Sequence, residues 1–187
     1  MNLWLCLLLW LAVPFWETKA PADWTDAEAR SLLQHSPWAE PSSGNVQTYL
    51  ATARPVIEAE ARWFRTGRQL REGAALSDEY LDYRDRHAGK VIILAVHFPD
   101  WQALADAAES RRMEESSALR VGRRKYGLQG HFPPAPGDPY LRLVFPRAVT
   151  DADRKLLFEI YLPNASPQFQ EAEYEVKKLR WRGALEM

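Results

Sequence analysis

Six consecutive apolar residues, Val91-Ile92-Ile93-Leu94-Ala95-Val96, constrain this chain more than any other stretch. The run is rich in β-branched side chains, too short for a core helix, and bounded by Gly89 and Pro99. Such a run reads as a strand buried on both faces, because a strand with one wet face alternates apolar and polar residues. Any fold for this chain must therefore cover both sides of that strand.

The segments around it supply the cover. Thr25 and Glu28 stand at the positions of a reciprocal capping box. Trp24 and Ala29 form a hydrophobic staple, and Leu32 and Leu33 extend one apolar face until Ser36-Pro37 closes the helix. Pro41 to Asn45 is a turn, and a strand is predicted from Val46 to Ala53. After Arg54-Pro55, Val56 to Phe64 has helical character, whereas residues 65 to 89 read as a polar surface connection with some helix. Asp100 is expected to cap one further helix carrying Trp101, Leu104, Ala105 and Ala108 on one face.

Further strands are predicted at Leu119–Val121, Tyr140–Phe145 and Leu156–Leu162, with residues 127 to 139 held as a loop by proline and glycine. Ala172, Tyr174 and Val176 alternate with glutamates, and Leu179 to Met187 alternates with basic residues. The expectation is a hairpin around Lys177-Lys178 with acidic and basic faces meeting. The order of elements predicts an α+β fold, a largely antiparallel sheet with helices packed on at least one face.

The N-terminus carries a separate message. Leu3 to Trp16 contains no charge, yet as a helix it would reach only about 21 Å against a hydrocarbon core of about 30 Å. It suits the apolar core of a secretory signal, with Thr18-Lys19-Ala20 offering the small residues of a processing site. The expectation is a signal peptide over residues 1–20 and one globular domain over 21–187. An anchor is the alternative if residues 3–16 are retained. The only cysteine, Cys6, lies in this run, so a processed chain would have no thiol for a disulfide, a nucleophile or a metal. A formal charge of −1 gives no global attraction to nucleic acid, and no nucleic-acid partner is expected.

Both ends of the domain resemble a family of uncharacterised exported bacterial proteins. The resemblance is carried by Trp24-Thr25, Glu28-Ala29, Leu32-Leu33 and Ser36-Pro37-Trp38-Ala39. Later matching stretches are Leu143 to Arg147, Thr150 to Asp153 and Leu179 to Glu186, while Leu156-Leu157 is more apolar than that pattern. It implies export and one small domain, with no activity, catalytic residue or cofactor to carry over.

Signals for chemistry are sparse. The histidines His35, His87, His97 and His131 show no metal-ligand spacing, so no metal or cofactor is expected. His97 with Asp100, at the end of the buried strand, is the candidate general base pair; the ordinary reading is a solvated histidine. Arg120, Arg123, Arg124, Lys125 and Tyr126 are the candidate ligand-binding patch for an anionic group, set against the ordinary reading of a charged loop. No serine elbow occurs, and Asp78, Glu79, Asp82 and Asp85 read as a solvated helix face rather than a glycosidase pair. Trp38, Trp63 and Phe64 could stack on a sugar or partner if exposed. The leading expectation is a non-catalytic secreted or envelope protein, periplasmic or extracellular, that binds a protein or glycan. The alternatives are a small extracytoplasmic hydrolase using His97 and Asp100, and a membrane-tethered subunit of an envelope complex.

Overall fold

The computed structural model describes residues 13–66, 76–135 and 137–187. Residues 3–12 of the apolar N-terminal run, with Cys6, lie outside these residues, as does much of the connection ahead of residue 76. The fold is α+β, with five helices among the described residues: α1 (Phe15–Thr18), α2 (Asp26–Gln34), α3 (Arg54–Thr66), α4 (Asp78–Arg86) and α5 (Ala107–Ser116). All strand pairs among the described residues are antiparallel.

Three layers explain the doubly buried run. Strand β3 (Val91–His97) sits at the centre of a five-stranded sheet. Its neighbours are β2 (Gln47–Leu50) and β7 (Tyr140–Pro146); β1 (Ala39–Pro41) and β6 (Gly130–Phe132) lie at the edges. Directly paired residues share a face. Ile92, Leu94 and Val96 therefore line up with Phe145, Leu143 and Leu141, facing a second sheet. That sheet runs β5 (Arg124–Gly127), β4 (Ala118–Val121), β8 (Lys155–Tyr161) and β9 (Phe169–Glu175). Phe145 meets Phe158 across the gap at 5.3 Å, and the Thr48 and Tyr174 hydroxyls are 2.6 Å apart. On the other face Ile93, Ala95 and Arg142 are covered by helices, so Val91 to Val96 is buried throughout.

Local sequence accounts for most helix ends. The Thr25 hydroxyl accepts from the Glu28 N–H at 3.2 Å while Glu28 accepts from the Thr25 N–H at 2.8 Å, which completes the capping box. Ser77 caps α4. The expected single helix after Asp100 is instead two elements: Asp100 caps a 3₁₀ turn over Trp101–Ala105, and Asp106 then caps α5 through the N–H groups of Ala108 and Glu109. Two competing acidic caps six residues apart break the run. The side chain of Trp101 lies outside the described residues.

Three strand expectations are corrected. The strand expected from Val46 to Ala53 is confined to Gln47–Leu50, because Ala51 to Ala53 turn into α3. Gly130–Phe132, assigned to the loop, pairs with Val144, Leu143 and Arg142 as an edge strand. The end of the chain does not fold back on β9. A 3₁₀ turn over Val176–Lys178 intervenes, and β10 (Arg180–Trp181) pairs only with β11 (Ala184–Leu185), about Arg182 and Gly183 at positive φ. Lys177 and Lys178 pair locally with Glu175.

One loop joins the sheets at their border. The β1–β2 turn lies on β9: the Ser43 N–H donates to the Glu171 carbonyl at 2.7 Å, and the Glu171 N–H donates to the Ser43 hydroxyl at 3.0 Å. Gly44 lies against Gln170 there: a Cβ would stand 2.6 Å from that side chain, so its amide would have to shift.

Candidate functional site

A cleft at one end of the sandwich gathers several polar groups among the described residues. It has a volume of about 450 Å³ and opens where the entry to β2, the exit of β3 and the exit of β8 converge. Asn45, Gln47, His97, Asp100 and Asn164 supply the polar groups, and Pro99, Pro163 and Leu162 supply apolar surface. Asn45 and Asn164 hold φ of 57° and 58°, in the left-handed region that asparagine tolerates better than most residues.

His97 and Asp100 thus share a wall, and sequence proximity does bring them together. No hydrogen bond joins them among the described residues. Asp100 accepts from the Ala103 N–H at 3.3 Å and from the Asn164 side-chain amide at 3.4 Å. The His97 ring stands edge-on to Tyr140, its register partner across the strands, at 5.5 Å. Partial burial lowers the His97 imidazole below its ordinary value, which favours the neutral ring.

The basic stretch takes a different form. Arg120 and Lys125 stand opposite each other on β4 and β5, and both pair with Glu159 of β8, Lys125 at 2.9 Å. Arg124 pairs with Asp153 at 2.7 Å. Arg123 is exposed in the β4–β5 turn and Tyr126 is half-buried against the core. The five residues share one hairpin, but three of the four cations already face a carboxylate. Glu159 and Asp153 offset part of the charge of the four cations.

The helix-covered face of the central sheet holds a buried ionic cluster that the sequence analysis did not find. Glu60 of α3 is fully buried. Its carboxylate accepts from the Tyr49 hydroxyl at 2.8 Å, from Arg142 at 3.4 Å, and from Tyr80 and Arg84 at 3.4 and 3.5 Å. Arg142 donates also to Asp138 at 2.5 Å, with its guanidinium 4.3 Å above the Tyr80 ring. Burial pushes the Glu60 carboxyl up, against the pull of Arg142, Tyr49 and Arg84. Two carboxylates and two guanidiniums balance formally. The cluster ties α3, α4, β2 and β7 into one unit, and it leaves Asp138 Oδ1 and Arg142 Nε without a hydrogen-bond partner among the described residues.

A signal for this cluster existed. Glu60 falls on the apolar stripe made by Val56, Ala59 and Phe64, and Arg142 lies on the strand that pairs with doubly buried β3. A neighbour of such a strand has both faces covered, which forces Arg142 inward. Of the aromatic candidates, Trp38 is fully buried, Phe64 is nearly so, and half-buried Trp63 is stacked under Arg30 at 4.3 Å. Asp78, Glu79, Asp82 and Asp85 are exposed on α4.

Compared with protein-family models, with curated proteins and with solved structures, the chain matches none.

Proposed function

We propose that this is an exported, non-catalytic binding protein of the bacterial envelope, and that its cleft takes a neutral glycan. Export rests on the apolar N-terminal run and on the resemblance to exported bacterial proteins. The cleft's lining carries the ligand class: three carboxamides, one carboxylate and a neutral imidazole beside proline surfaces. Sugar hydroxyls need alternating donors and acceptors without a strong net charge, and a flat apolar patch for the pyranose face. The left-handed Asn45 and Asn164 fit this reading, because strained residues gather at sites that must present a side chain in a fixed direction.

Titration with neutral chito- and cello-oligosaccharides, followed by NMR, tests the proposal. Shifts confined to Asn45, His97, Asp100 and Asn164, lost in Asp100→Ala, are expected. No shift, or shifts elsewhere on the surface, would overturn the glycan reading and leave a protein partner. The second reading, a small hydrolase, is favoured by His97 and Asp100 lining one cleft. It fails if a broad hydrolase screen shows no activity, or activity that His97→Ala leaves unchanged.

A further inference from the structure

Phe15 to Lys19, just ahead of the expected processing point, pack on the domain. The Phe15 ring stands edge-on to Trp24 at 5.6 Å and to Trp16 at 5.1 Å, and Trp16 stands edge-on to Trp38 at 6.2 Å. The indole N–H of Trp181 donates to the Trp16 carbonyl at 2.8 Å, and Glu17 accepts from the Arg182 N–H at 3.2 Å. Lys19 pairs with Glu28 at 2.5 Å. Trp24, Trp38 and Trp181 are buried in this arrangement.

Two of these contacts reach the element of the fold least able to hold itself. Strands β10 and β11 contribute two residues each, and among the described residues neither pairs with a larger sheet. So short a hairpin has little stability of its own. Its turn also places Arg182 at a φ of 51°, a left-handed arginine that its surroundings must impose. Glu17 accepts from the N–H of that very residue, and Trp16 from the side chain before it. The rest of the domain holds the hairpin elsewhere. Trp38 donates its indole N–H to the Glu186 carbonyl at 2.9 Å, Arg147 donates to the Leu185 carbonyl at 3.4 Å, and Arg180 pairs with Asp151. A cut after Ala20 would remove every contact made by Phe15, Trp16 and Glu17 at once.

We propose that Phe15 to Lys19 is a strap that latches the C-terminal hairpin, and that the mature protein keeps it, with no processing cut between Phe15 and Pro21. Only the occasion for a cut rests on the proposed export. The latch is independent of what the cleft binds.

Hydrogen exchange followed by NMR on the full chain tests the latch at a position that makes no hydrogen bond to the strap. The Glu186 N–H donates to the Leu179 carbonyl at 2.8 Å across the base of the hairpin. In Phe15→Ala with Trp16→Ala this amide should lose its protection while the amides of β3 stay protected. A Glu186 amide still protected in that variant would overturn the latch. Glu17→Ala leaves the aromatic contacts in place and serves also if the double variant does not fold. It should lower protection at Arg182 and Glu186 together; a loss at Arg182 alone would overturn the latch. Intact mass of the full chain expressed in an exporting bacterium tests retention. Every folded species should begin at or before Phe15, and one beginning at Pro21 would overturn that half of the proposal. None of these readouts involves a glycan, so failure here and failure of the cleft reading are distinguishable.

Discussion

Tyr49 donates its hydroxyl proton to Glu60 at 2.8 Å inside a buried cluster that also holds Arg142 and Asp138, with the whole carboxylate out of solvent. Breaking such a cluster on one side leaves the opposite charge buried without compensation, a loss of about 3–5 kcal/mol. Glu60→Ala should destabilise the protein by that order in chemical denaturation. Replacing Glu60 and Arg142 together by Met should cost distinctly less than the sum of the two single changes. Additive losses would show that the residues are not coupled.

Trp16 stands edge-on to Phe15 and Trp38 and lends its carbonyl to Trp181. Trp16→Ala alone should lower stability by about 2 kcal/mol, from lost apolar burial. Trp181 fluorescence should shift to the red as its indole meets water.

His97 should titrate below the ordinary histidine value of about 6.5, because burial disfavours the charged ring. The sign follows: the folded state prefers the neutral form, so the contribution to stability is present above the unfolded value and is lost as pH falls through the folded one. Proton NMR of the ring, compared with exposed-peptide controls, measures the midpoint. In His97→Gln the decline in melting temperature between pH 7 and pH 5 should be shallower.

Thr25→Ala removes the hydroxyl half of the capping box and should cost about 1 kcal/mol. Thr25→Ser should restore most of it. A loss seen equally in Thr25→Ser would point to packing of the methyl group instead.

Glu159→Gln should leave stability within about 1 kcal/mol, since surface ion pairs contribute little. It should also unmask Arg120 and Lys125, so retention on a heparin column rises. Unchanged retention would show that the hairpin's cations do not act as one field.

What could be read in the sequence follows from how far each signal reaches along the chain. The capping box at Thr25 and Glu28 is complete within four residues, and the Val91–Val96 run declares its own burial. The break at Asp106 is also local, but it was hidden by apolar spacing that continued through Leu104, Ala105 and Ala108. Gly130–Phe132 could not be read as a strand, because its pairing with β7 comes from a partner ten or more residues away and its own composition is that of a loop. The cleft depends on Asn45, His97 and Asn164, three segments that only the sheet topology brings together. Nothing in the neighbourhood of Asn164 names its partner Asp100.

The turn resting on β9 has a bearing on how copies of this protein behave toward one another. A strand at the margin of a sheet invites pairing with a second chain, and sandwich domains are vulnerable there. Ser43 occupies both backbone groups of Glu171 midway along that margin, and Gly44 lets the turn lie close enough to do so. A newcomer strand would have to displace the protein's own loop first. The loop that covers this edge thus ends one residue from Asn45 of the cleft, so edge cover and candidate site share a turn.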